Sequence, residues 1–210
     1  AEATYDVSDR LHLTAGGRYY DYSEDRTATQ VGLFAAGIVD VQDPTSADGF
    51  SPRFMAAYDV SEEVTVNAQV SHGFRLGGVN DPLNTGLCSA DDLATFGGFQ
   101  DYDDETLWNY EVGVKVNTGK LQLNAAAFYT DMKNLQVTVD AGSCSSRVSF
   151  NVPEAHSMGI EAELKARPVE GLDISIAASL LESEFDTASD NPAITNAGIS
   201  PGNRLASTPE

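Results

Sequence analysis

Asp101, Asp103, Asp104 and Glu105 place four carboxylates in five consecutive positions. Oxygen donors at that density suit a hard cation such as calcium, but the EF-hand spacing and its glycine are missing, which favours a solvated acidic loop. Upstream, Gly73-Phe74-Arg75-Leu76-Gly77-Gly78-Val79-Asn80 has the glycine content of a backbone leaving a strand through positive φ. It is not a phosphate loop, because the Lys-Ser/Thr ending is missing and Pro82 stands where a helix would begin. Within it, Arg75 and Asn80 are candidate ligand contacts, and a guanidinium suits an anionic ligand through charge-assisted hydrogen bonds. Cys88 and Cys144 are too few for a disulfide scaffold and lack the neighbours of a zinc site. A bridge between them is expected in an oxidising compartment, with two free thiols as the alternative. His12, His72 and His156 are scattered, and no serine sits in a Gly-x-Ser-x-Gly elbow. Glu161 and Glu163 share a strand face with Lys165 and Arg167, which reads as a charge-balanced wall and not as a catalytic pair. The pattern predicts neither an enzyme nor a resident metal or cofactor.

These residues hang on a repeated strand pattern, clearest from Glu105 to Gln136. Trp108, Tyr110, Val112, Val114 and Val116 fall on one face of the first arm, and Leu121, Leu123, Ala125, Ala127 and Tyr129 on one face of the second. The tight turn between them is Asn117-Thr118-Gly119-Lys120. The same alternation recurs at Leu11–Tyr20, Ser51–Val60, Val64–Ser71, Ile160–Arg167 and Leu172–Leu180. Short turns follow Tyr5 and Tyr58, where Tyr-Asp-Val-Ser occurs twice, and a third is Pro168-Val169-Glu170-Gly171. Long polar loops are expected at 23–49, 74–104, 132–148 and 186–203. Ser89-Ala90-Asp91-Asp92 resembles a capping box that starts one or two helical turns through Phe96. Leu205 to Glu210 is expected to begin a further strand.

A formal charge of -20, from 32 acidic and 12 basic residues, argues against nucleic acid as a partner. Alternation alone suits a soluble sandwich as well as a membrane barrel. Three features favour the barrel. The strands approach ten residues, the short turns alternate with long loops, and aromatics bracket the apolar band at Tyr5, Tyr58, Tyr19, Trp108, Tyr110 and Tyr129. The reading is therefore all-β, an antiparallel up-and-down transmembrane barrel, with Glu161, Glu163, Lys165 and Arg167 facing a wet lumen. A passive porin-like barrel and a soluble β-sandwich adhesin or glycan-binding module are the rival readings.

The segments SHGFRLGGVNDPLN (Ser71 to Asn84), DDETLWNYEVGVK (Asp103 to Lys115), LQLNAAAFYTDMKNLQV (Leu121 to Val137) and NVPEAHSMGIEAELKARP (Asn151 to Pro168) resemble successive barrel segments of TonB-dependent outer-membrane receptors. The resemblance covers nearly the whole chain in the family's order. It implies a Gram-negative outer membrane, a 22-stranded barrel in contact with lipid, a plug, energy from the TonB complex, and a bulky scarce ligand such as a ferric siderophore. The sequence shows no plug or TonB-contacting box and stops at Thr208-Pro209-Glu210 without a terminal aromatic strand. Residues 1–210 are thus expected to be one segment of a single barrel domain, about eight or nine strands with both edges unpaired. On this reading Arg75 and Asn80 lie at the external vestibule, and a Cys88–Cys144 bridge joins two external loops.

Overall fold

The computed structural model describes residues 1–32, 39–189, 191–206 and 208. Eight strands form one antiparallel sheet: β1 (Glu2–Asp6), β2 (Leu11–Gln30), β3 (Val39–Ser61), β4 (Val64–Arg75), β7 (Glu105–Asn117), β8 (Leu121–Asp140), β9 (Arg147–Val169) and β10 (Leu172–Phe185). Neighbours in sequence are neighbours in the sheet, which is an open meander with β1 and β10 at its edges. A two-stranded ribbon, β5 (Gly78–Val79) with β6 (Asp101–Tyr102), lies in the connection between β4 and β7.

Period-two patterning becomes two chemically distinct faces once the register is set. Leu13, Ala56, Ala68, Val112, Ala127, Ile160 and Leu180 stand side by side across the sheet. On the opposite face Asp59, Thr65, Lys115, Asn124, Glu163 and Ala177 form the matching row. Val112, Ile160 and Leu180 are 59%, 57% and 76% exposed, so the apolar row has no protein layer over it among the described residues. A sandwich would bury that row, whereas a barrel wall presents it to lipid. From Leu121 to Tyr129 the chain climbs about 26 Å along the strand. At a tilt of about 40° this becomes roughly 20 Å across the membrane, close to the apolar band of an outer-membrane barrel. On the polar face Lys165 pairs with Glu163 at 2.8 Å, while Arg167 reaches across to Asp173 at 2.7 Å.

The short turns fall as the sequence predicts. Gly119 adopts φ 78° in the Asn117–Lys120 turn, and the Asn117 carboxamide accepts from its N–H at 3.2 Å. The doubled Tyr-Asp-Val-Ser motif does more than make turns. His12 Nδ1 lies 2.6 Å from Asp6 and its Nε2 3.2 Å from Asp59, and Thr65 donates to Asp59 at 2.6 Å. The two aspartates of the repeat thus grip one imidazole and tie β1 to β4 across the short-turn end of the sheet.

The long loops differ from expectation. Much of 23–49 is hairpin, since Asp21–Gln30 pairs with Val39–Asp48, and 33–38 lies outside the described residues. Likewise 132–148 is mostly ladder, with β8 running to Asp140 and β9 starting at Arg147. Within 23–30 and 42–48 mostly polar side chains fall on both faces, so period two no longer shows there as apolar against polar, whereas Leu135, Val137 and Val139 still alternate with Gln136, Thr138 and Asp140. The connection 74–104 contains the expected helix, α1 (Ala90–Phe96), with Ser89 as N-cap accepting from Asp92 N–H. It also holds β5 and β6, which were not foreseen. A second helix, α2 (Pro192–Asn196), starts at an Asn191 cap with proline in its first turn, a start signal that the sequence carries within the expected loop 186–203. Near Leu205 only an isolated bridge forms, Glu184 with Arg204, and residues 207, 209 and 210 lie outside the described residues.

Candidate functional site

The packed core of the described residues lies at the external end of the sheet and not at its middle. Met132, Ala141, Cys144, Val148, Phe150, Val152, Ala155, Phe185, Ile194 and Ile199 form it, with Leu83, Phe96, Phe99 and Leu107 against its flank. A slip in alternation builds this cluster. Below the slip Met132 and Ala155 are the buried members; above it burial passes to Val152, Phe150 and Val148, with Leu135 partly covered. Asn134, at φ 53°, sits at the change of phase. One extra residue of phase thus turns apolar side chains onto the face that is polar lower down. There the 76–104 connection and the α2 segment fold over them, on the lumenal side.

Side-chain amides sew this cap down. Gln136 Nε2 donates to the carbonyls of Leu76 at 2.9 Å and Asp103 at 3.1 Å. Asn151 accepts from Asp103 N–H at 2.6 Å and donates to the Asp103 and Asn134 carbonyls. Asn80 donates to Phe99 and Ser149 carbonyls and accepts from Ser149 N–H at 2.8 Å. Each carboxamide substitutes for a missing β-partner, leaving the irregular backbone hydrogen-bonded. Asn80 is therefore occupied as an anchor. Asn80→Ala strands the Ser149 and Phe99 groups and is expected to cost about 1–3 kcal/mol. Hydrogen exchange of full-length receptor tests this: faster exchange is expected at Phe99–Gln100 and Ser149, with no change in the tight turns.

Arg75 ends β4, and its Nη2 bonds both the buried Glu105 carboxylate and the Gln136 carbonyl at 2.8 Å. Its side chain stays 54% exposed, so one edge of the guanidinium faces outward. The glycines beside it act differently from expectation. None of Gly73, Gly77 and Gly78 has positive φ. Gly77 is needed because a Cβ there would lie 2.3 Å from the Tyr102 carbonyl oxygen. Two of the four carboxylates in the acidic run already have partners. Glu105 is turned to Arg75, and Asp104 accepts from Gly77 N–H at 2.6 Å and from the Tyr20 hydroxyl. Among the described residues no three acidic, histidine or cysteine side chains converge on a common metal position.

Cys88 and Cys144 are joined as a disulfide that ties the α1 connection to the β8–β9 tip. Beside it Asp92 accepts from the Ser143 hydroxyl at 2.5 Å, the Ser143 N–H at 2.9 Å and the Ser89 hydroxyl at 2.9 Å. These bonds, those of Ser143 first, hold its carboxyl below the ordinary value of 3.8. A depressed folded value means that the tie is fully present above the ordinary value and is lost as pH falls through the folded one. The extra protection of α1 in wild type over Asp92→Asn should therefore persist unchanged from pH 7 to pH 5, after correction for intrinsic exchange. Loss of that difference near pH 6 would contradict it.

Between the β3 extension and the β5–β6 ribbon lies a cleft of about 740 Å³, lined in part by Tyr20, Asp48, Gly78, Asp101, Tyr102 and Asn134. Arg26, on the β2 extension, holds the ribbon side through the Val79 carbonyl at 2.7 Å and the Asp81 carboxylate. The molecule thus combines a membrane-spanning wall with a covalently closed, hydrogen-bonded cap over its lumenal side.

Residues 1–210 match the TonB dependent receptor-like β-barrel family throughout. The chain belongs to that family. Its members are outer-membrane transport receptors of Gram-negative bacteria, which sets aside the sandwich and porin readings. The pesticin receptor of Yersinia pestis is 26% identical over 191 residues, covering 90% of this chain and 26% of the relative. The chain therefore spans about a quarter of the length of the curated relatives it matches. Among solved structures, the ferric yersiniabactin uptake receptor from Yersinia pestis superposes with a TM-score of 0.69 at 23% identity, over 87% of this chain and 26% of that one. A copper transporter superposes at 0.65 and 16% identity, over 87% and 28%. At these identities the structures speak for the fold.

Proposed function

We propose that residues 1–210 are one contiguous part of a single 22-stranded receptor barrel that imports a ferric siderophore with energy from the TonB complex. The observation that carries this reading is the family match along the whole chain, on an open eight-stranded sheet with the two faces a barrel wall requires. A relative named for pesticin and a structural neighbour named for ferric yersiniabactin favour a bulky external ligand. The copper transporter shares the fold, so the iron assignment leans on the other relatives. The outward edge of Arg75 and the cleft beside it are the surfaces we assign to ligand contact. Asn80 serves them by holding the cap in place. Deletion of the complete gene tests the reading. Growth under iron limitation on at least one ferric siderophore should be lost and restored by the intact gene. Undiminished growth on every ferric siderophore, with loss on another nutrient, would redirect the assignment.

A further inference from the structure

The apolar face of the sheet is not evenly filled. Two adjoining grooves, of about 990 and 660 Å³, share Ala56, Ala68, Val112 and Ala127 and merge into one trough across β3, β4, β7 and β8. Its floor is low where Ala56 pairs with Ala68 and again at Ala127, beyond Val112 in the same cross-strand row, since each carries only a methyl between rims that hold branched and aromatic side chains. Phe54, Tyr110 and Tyr129 raise its external rim, while Tyr58, Val66 and Val114 raise the opposite one.

We propose that this trough seats one acyl chain of an outer-membrane lipid from the external leaflet. The trough is continuous with the lipid-facing band and lies within it. In β8, Ala127 is six residues above Leu121 at the periplasmic turn and two below Tyr129 at the aromatic rim. A water-borne partner has no access at that depth, and the trough floor offers no charged side chain to hold one. Apolar hollows of this kind take apolar guests. Strands in such barrels tilt by about 35–45°, so a groove that crosses them runs obliquely through the leaflet, a course a flexible chain follows. Tyr110 and Tyr129 place hydroxyls at the external rim, where aromatic residues meet the ester region of a bilayer. The inference rests on the lipid-facing reading of this face and is independent of the transported ligand.

The test uses the full-length receptor extracted in mild detergent, with retained lipid counted by native mass spectrometry. Wild type is expected to keep about one lipid after extensive exchange. Ala56→Phe with Ala68→Phe, which fills the floor, should lower occupancy at least fivefold, whereas Leu180→Phe on the same face should leave it unchanged. Equal retention in the filled variant, or no retained lipid in wild type, would overturn the proposal. If the double variant folds poorly, Ala127→Met fills the other end of the same floor and is read by the same criteria. Failure here alongside correct lipid exposure of Val112 would remove the seat and leave the membrane orientation standing.

Discussion

Phe150→Ala should loosen the external cap by about 3–5 kcal/mol, the cost of emptying a large aromatic site in a closed core. Phe150 is 2% exposed, and its ring stacks on Phe99 with centroids 5.0 Å apart. It therefore joins the β9 extension to the 76–104 connection, and the residual cavity would lie among Val148, Val152 and the cross-strand Val137, which the ladder holds in place. Collapse into it is limited by the Cys88–Cys144 bridge and by the Asn80 and Asn151 anchors. Hydrogen exchange on full-length receptor measures the effect. Amides of α1 and of 147–152 should exchange roughly two to four decades faster, at about 1.4 kcal/mol per decade. The β7–β8 turn should not change. Uniform acceleration along the chain would mean that cap and wall unfold as one unit.

The second large effect concerns the wall. Val112→Arg puts a guanidinium in the middle of the apolar row, flanked by Ala68 and Ala127 on the neighbouring strands. A basic side chain on the lipid face near mid-bilayer costs about 2–4 kcal/mol. The adjacent Glu111→Arg lies on the polar face and avoids that penalty. Denaturant unfolding of the full-length receptor in lipid should separate the two variants by at least 2 kcal/mol. Equal destabilisation would argue that both faces of β7 meet the same environment.

The wall was legible because lipid and lumen impose opposite chemistry on successive residues. Trp108 to Val116 display that opposition without interruption and Leu121 to Asn124 repeat it, before Ala126 and Phe128 place apolar groups on the second face, so their pairing and turn follow from local pattern. Above Tyr129 the opposition fades. The polar pairs Thr130-Asp131 and Lys133-Asn134 make 132–140 read as loop, although Leu135, Val137 and Val139 resume the alternation and the backbone continues the ladder to Asp140. The phase slip at Asn134 leaves only that change from Met132 to Leu135, Val137 and Val139 as its trace, so the core of the cap does not follow from the pattern lower down. That core joins Phe99, Phe150, Phe185 and Ile194, residues far apart in sequence that no local period connects. The Ser89 cap was readable because its partner Asp92 is three residues away. The anchors Gln136 and Asn151 were not, because a carboxamide that replaces a strand partner carries no spacing signature. His12 stands far from the other histidines, and its role is written in the repeat of Tyr-Asp-Val-Ser, since each copy supplies one of its aspartates.

The orientation of the wall is the claim on which the lipid seat, the placement of the cap over the lumen and the transport reading all depend. Nitroxide accessibility at Val112→Cys and Glu111→Cys, in the full-length receptor reconstituted in lipid, measures it most directly. The structure predicts that the label at 112 meets oxygen dissolved in the bilayer and is shielded from a water-soluble nickel reagent, and that the label at 111 meets the reagent or is shielded from both. Nickel accessibility at 112 together with lipid exposure at 111 would contradict the account.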